Sequence, residues 1–68
     1  MIMKNTLKVE RAKKNWTQED LAVKIGISRQ SINSIETCKF IPSTVLALKM
    51  ANVFGTTVEL IFQLEKED

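Results

Sequence analysis

No helix in this chain can run far before it meets a stop. Thr17, Ser28, Ser43 and Thr57 are N-cap residue types, and Gly26 and Gly55 are C-terminal punctuation. Thr17 is followed three residues on by Asp20, the spacing of a capping box, although Glu or Gln is the usual partner. Trp16 before that cap and Leu21 after it form a hydrophobic staple, and Ile27 and Ile32 repeat the spacing around Ser28. The predicted second helix is therefore "QEDLAVK", with Leu21, Ala22 and Ile25 facing inward. Gly26 ends it, and the third helix runs from Ser28 to about Thr37. A first helix is expected over residues 6–14, with Leu7 and Arg11 on one face, until "NW" breaks the pattern. Pro42 marks a loop, a fourth helix covers 44–54, and Thr57 caps a short "VELIF" helix. The ends, "MIMK" and "FQLE", alternate in a way compatible with two short strands. The expected fold is all-α: five helices in one domain, residues 1–68, with a short antiparallel two-stranded sheet from the termini.

At 68 residues, such a domain buries only about 60% of its unfolded surface, and small domains often need a staple. Cys38 is the single cysteine and there is no histidine, which leaves neither an internal disulfide nor a zinc site. Oligomerisation is the remaining remedy, so a homodimer is expected. No stretch approaches the roughly 20 apolar residues of a membrane span, and the N-terminus lacks the apolar core of a signal peptide. A cytoplasmic protein is expected, with no cofactor and no metal. Catalysis is not expected either: no Gly-rich phosphate loop and no evident pair of carboxylates is present. The net charge of +2 conceals an uneven distribution. Residues 1–64 carry nine bases and five acids, and the last four residues are net acidic. A basic body favours a polyanionic partner, although a solvated surface would look the same. Lys4, Lys8, Lys13 and Lys14 fit either description.

Two short helices about a tight glycine turn, the second capped and polar outside, describe a helix-turn-helix at about residues 17–37. Ile27, Ile32 and Ile35 anchor the second helix from behind, so its front is free to enter a major groove about 12 Å wide. There Arg29 can bind guanine through O6 and N7, and Gln30 and Asn33 can bind adenine through N6 and N7. Ser31 and Ser34 are short enough to permit close approach. Gln18 opens the supporting helix beside its free amides, a natural phosphate site, and Lys39 follows the third helix. The bland alternative is a solvated polar face. Trp16 reads as a core staple rather than a stacking platform, and Cys38 as an ordinary thiol.

The segment "TQEDLAVKIGISRQSINSIE" resembles the helix-turn-helix of the Cro/C1-type, lambda-repressor-like family, and the likeness continues through "PSTVLALKMANVFGTTVELIF". It resembles most the small stand-alone members. The resemblance implies a five-helix DNA-binding domain that dimerises on a two-fold operator; some small members add a terminal sheet. By position it implies base contacts from Arg29, Gln30, Asn33 and Ser34, and phosphate contacts from Gln18, Ser28, Ser31, Thr37 and Lys39. It also implies an ion pair between Arg11 and Glu36.

Three departures stand out. Cys38 occupies a place where the family usually has Gly or Asn; a left-handed backbone there costs roughly 1–2 kcal/mol, so a different loop is expected. Glu10 replaces an apolar residue, which suggests a slightly rotated first helix. The fourth helix is apolar almost all round, through Val45, Leu46, Leu48, Met50, Val53 and Phe54. A second subunit, the terminal strands or both should cover the surplus. The expected dimer residues are Leu46, Met50, Val53, Ile61, Phe62 and Leu64, from parts of 43–65 with residues 1–5 beside them. The function expected is a repressor on a palindromic operator. The alternatives are an autoregulatory antitoxin and a module whose third helix meets protein instead of double-stranded DNA.

Overall fold

The computed structural model describes residues 3–64. The order is β1 (Met3–Asn5), α1 (Leu7–Lys13), α2 (Gln18–Ile25), α3 (Arg29–Glu36), α4 (Thr44–Phe54), α5 (Val58–Ile61) and β2 (Phe62–Leu64). The five helices and the terminal sheet match the sequence expectation, with Met1, Ile2 and Glu65 of the expected strands outside the described residues. The caps form as the residue types demand. The Thr17 hydroxyl accepts from the Asp20 amide at 3.0 Å, and the Asp20 carboxylate accepts from the Thr17 amide at 2.9 Å, closing the box. Ser28 and Ser43 accept from Ser31 and Leu46 in the same manner. Thr57 is different: it takes the extended N-cap conformation, but its hydroxyl makes no capping bond. The last helix also stops before Phe62, whose extended backbone already belongs to β2.

Four helices end the same way. Asn15, Gly26, Cys38 and Gly55 all have left-handed backbones, with φ of 59°, 80°, 63° and 69°. After each, the next amide reaches back five residues: Trp16 to Arg11, Ile27 to Ala22, Lys39 to Ser34 and Thr56 to Ala51, at 2.8–3.1 Å. This is the bond that satisfies a carbonyl left over at a helix end. The loop after α3 therefore does not depart from the pattern, contrary to expectation. Cys38 adopts the left-handed turn itself and bears its cost, roughly 1–2 kcal/mol.

The core is built from Leu7, Leu21, Ile32, Ile35, Met50 and Ile61, each almost wholly buried. α2 packs on both α3 and α4. Trp16 is half-buried and stacks on Phe54 with ring centroids 5.4 Å apart, so it belongs to the core margin as its staple position implies. On α1, Leu7 is buried, Glu10 is half-buried and pairs with Lys13 at 3.2 Å, and Val9 faces solvent. The sheet joins the two ends of the chain in antiparallel register: Met3 opposite Leu64, Lys4 opposite Gln63, Asn5 opposite Phe62.

Burial corrects the expected dimer residues. Met50 and Ile61 are fully enclosed and Phe62 nearly so, within a single chain. A side chain already out of water gains nothing further by pairing. Leu46 and Val53 are half-buried, and of the six only Leu64 is exposed. The apolar side chains left in water are Val9, Val23, Phe40, Ile41, Val45, Leu48 and Leu60, with Leu64. Among the described residues no helix is long and apolar enough to cross a membrane.

Candidate nucleic-acid interface

α3 divides its residues cleanly. Ile32 and Ile35 are buried behind it. Arg29, Gln30 and Asn33 are exposed in front, and Ser31 and Ser34 are half-exposed beside them. Arg29 and Asn33 are four residues apart and Gln30 and Asn33 three apart, spacings that place all three on one side of a helix. No acid lies in the first turn, so nothing there opposes an incoming anion. Thr37 and Lys39 follow, both exposed.

The front is held in place by a connected set of polar groups. Arg11 Nε donates to Glu36 Oε2 at 2.8 Å, and a second guanidinium nitrogen donates to Oε1 at 3.2 Å. The pair is enclosed, with side-chain exposures of 14% for Arg11 and 5% for Glu36. Hydrogen bonding to Glu36 raises the Arg11 pKa further above its ordinary value, against the opposing effect of burial. The third guanidinium contact goes to the Trp16 carbonyl at 2.9 Å, so Arg11 ties α1 to the entry of α2 and the end of α3 together. The ion pair implied at the sequence level is present. Gln18 Nε2 joins the set, donating to Glu36 Oε1 at 3.1 Å and to Asn33 Oδ1 at 3.2 Å. Both of its amide protons are thereby used within the chain. The Gln18 side chain has only an oxygen left to offer, which cannot donate to phosphate. Thr37 is similarly engaged, its hydroxyl directed to the carbonyls of Asn33 and Ser34. Ser28 and Ser31 lie 2.9 Å apart, oxygen to oxygen, and since one must donate to the other, a single hydroxyl proton remains for an outside acceptor.

Residues 7–61 match the helix-turn-helix family profile. An uncharacterized HTH-type transcriptional regulator of Methanocaldococcus jannaschii is 53% identical over 66 residues, covering 97% of this chain and 100% of that protein. One from Bacillus subtilis is 39% identical over the same length, again with 97% and 100% coverage. The chain belongs to the Cro/C1-type helix-turn-helix family. In three dimensions it is similar to the crystal structure of a candidate DNA-binding protein from Bacteroides fragilis, with a TM-score of 0.81 and 27% identity, over 91% of this chain and 100% of that one.

The helix-turn-helix profile covers the five helices and leaves both strands outside it. One residue of that outer layer reaches the interface and was not anticipated from sequence. Asn5, in β1, donates from Nδ2 to the Ile35 carbonyl at 2.9 Å and accepts from the Leu7 amide at 3.1 Å. It thus starts α1 and holds the end of α3. The available signal was a capping residue type two places before Leu7, overlooked because Thr6 sits between them. The Lys24 ammonium lies 4.6 Å from the centre of the Trp16 ring, over the indole.

Proposed function

We propose that this protein is a DNA-binding transcriptional regulator, a repressor that acts as a homodimer on a palindromic operator. The observation that carries the reading is the division of α3, with Ile32 and Ile35 enclosed and Arg29, Gln30 and Asn33 open to solvent on one side. Arg29 reads guanine from the major groove, and Gln30 and Asn33 read neighbouring base edges with Ser34 beside them. Ser28, Ser31 and Lys39 meet phosphate, as does the free backbone at the start of α2 beside Gln18. Occupying the promoter excludes the polymerase.

A second copy of the chain covers the apolar surface that α4 and its neighbours leave exposed. Ile41 and Leu48 there line an open groove of about 350 Å³ with Met3, Pro42, Val58 and Phe62. Val45 lies one turn before Leu48, and Leu60 and Leu64 are exposed on the following segment. The two recognition helices of the dimer then meet successive major grooves about 34–36 Å apart.

Footprinting on the DNA upstream of the gene tests the reading. A protected two-fold site is expected, with log K falling against log salt at a slope near −0.9 per phosphate neutralised. Arg29→Ala should cost about 1–3 kcal/mol and relax the preference at one base pair in each half-site. Binding that ignores salt, or no protection of any duplex, would show that α3 faces something other than DNA.

A further inference from the structure

Charge is sparse between Ile41 and Leu64, and its placement bears on what the apolar surface there is built to meet. That stretch holds one base, Lys49, and one acid, Glu59, whereas residues 1–40 hold eight bases and four acids. We infer that the surface is specified for a second copy of this chain, and that Lys49 of each copy pairs with Glu59 of the other across a two-fold axis. The inference rests on the reading above that a second copy covers the outer side of α4.

Both residues are exposed, and among the described residues neither makes an ion pair. On α4, Val45, Leu48, Lys49 and Asn52 are all exposed, at the three- and four-residue spacings that form one helix face. Glu59, on α5, borders a shallow depression with Leu48, Asn52 and Val58. Leu48 and Val58 also border the groove that Met3, Ile41, Pro42 and Phe62 line. The two charges therefore flank one continuous apolar surface, Lys49 on its α4 side and Glu59 on its α5 side, and Leu48 neighbours both.

A face with one charge of each sign complements itself. In an isologous contact, residue i of one copy meets j of the other, and j meets i. A two-fold axis passing between Lys49 and Glu59 makes the same opposite pair twice and brings Leu48 toward the Leu48 of the other copy. An axis through either charge would set it against its like, which is costly. Exposed pairs add little affinity. What they supply is a choice among the ways two apolar faces can meet. Other occupants fit less well. A strongly acidic or basic protein gains nothing from a surface without net charge, and the basic 1–40 side repels a second copy.

Sedimentation equilibrium of the full chain at low salt tests this. Lys49→Glu and Glu59→Lys each place like charges in both pairs, so each should raise the dimer dissociation constant by roughly tenfold or more. Net charge alone would move the two variants in opposite directions, since the first lowers it and the second raises it. An equimolar mixture of the two should return to within about threefold of wild type, as a heterodimer in which both pairs are opposite again. Pairing within one chain cannot give that recovery, because each variant carries two charges of one sign. Variants that dimerise as wild type does, or a mixture no tighter than its parts, overturn the inference and leave the dimer standing. Should either variant not fold, wild type decides. A carbodiimide joins an amine to a carboxylate in contact with it, and in dimers of mixed isotope labelling a Lys49–Glu59 link should bridge a labelled and an unlabelled chain. Its absence overturns the inference as well. A wild-type chain that stays single at every concentration leaves this surface to another partner and removes the inference and the dimer reading together. A dimer with this pairing that binds no duplex would remove the DNA reading alone.

Discussion

α3 and α4 answer opposite demands with the same fold. α3 is eight residues long and buries two of them, Ile32 and Ile35. Its outer side is polar and costs nothing to leave in water. Its position is secured by polar contacts: Glu36 to Arg11, Glu36 and Asn33 to Gln18, and the Ile35 carbonyl to Asn5. α4 is eleven residues long and buries Met50, Ala51 and Phe54, yet leaves Val45 and Leu48 in water. Nothing polar fixes that outer side, and it gains by being covered, at about 25 cal/mol per Å². The polar side of α3 is thus held in place by directional bonds. The outer side of α4, proposed above to be covered by a second copy, is defined only by its apolar surface.

The sharpest way to break the first half of the comparison is Glu36→Ala. It leaves the Arg11 guanidinium enclosed without its carboxylate and removes the acceptor that orients Gln18. Loss of one member of an enclosed pair costs about 3–5 kcal/mol, a large share of the stability of a domain this size. Chemical denaturation should show a midpoint shifted accordingly, and a shift equivalent to less than about 1 kcal/mol would mean the pair is dispensable. The matching intervention on α4 is Leu48→Glu. Leu48 is 56% exposed in the single chain, so the monomer should keep its stability within about 0.5 kcal/mol. Assembly should fail, however, and operator affinity should fall by roughly 10²-fold as two linked half-sites become independent. Sedimentation velocity and operator titration on the same preparation separate the two effects. A dimer that survives the change places the partner elsewhere.

Much of this contrast could be read from residue types, and the parts that could not share a cause. Caps and stops are local signals, so Thr17, Ser28, Ser43, Gly26 and Gly55 located the helices. The front of α3 followed from the same local logic, since Ile32 and Ile35 had to point inward. The residues expected at a dimer contact did not follow. An apolar helix announces surplus apolar surface, but which of its sides the chain's own core consumes depends on packing between distant segments. Met50 and Phe62 went to the core, and Val45 and Leu48 stayed outside. Asn5, and the bonds that Gln18 makes within the chain, escaped for a related reason. A polar side chain in a sequence looks solvated until the fold brings an acceptor to it, across 30 residues for Asn5 and 18 for Gln18.

A smaller effect sharpens the comparison at the helix ends. α3 and α4 close with the same backbone turn, but α4 uses Gly55 at φ 69° and α3 uses Cys38 at φ 63°. Of these two helices, only α3 therefore places a non-glycine residue in the left-handed turn. Cys38→Gly should relieve it. Part of that relief is offset by the freedom glycine adds to the unfolded chain, leaving a gain of about 0.5–1 kcal/mol. The thermal midpoint should rise by several degrees, with operator affinity unchanged. A fall in stability would indicate that the 3.8 Å contact from Asn5 to the Cys38 sulfur matters more than the backbone strain.

The smallest effect is a dependence on pH that touches one side of the molecule. α2 supports α3, and its capping box contains a titratable group; the Ser43 cap of α4 does not. Hydrogen bonding from Thr17 holds the Asp20 carboxyl below the usual carboxylate range. A group depressed on folding contributes stability that is fully present above its unfolded value, about pH 4, and is lost as pH falls through the folded value. Asp20→Asn keeps an oxygen that can accept from the Thr17 amide but cannot titrate. The stability advantage of wild type over this variant should be constant above about pH 5 and shrink below about pH 4. Hydrogen exchange should locate the acid-induced loosening at the first turn of α2, leaving the Ser43 end of α4 as protected as before. A difference that stays flat to pH 2, or loosening that begins at α4 instead, would mean that the α2 box does not bear the acid sensitivity.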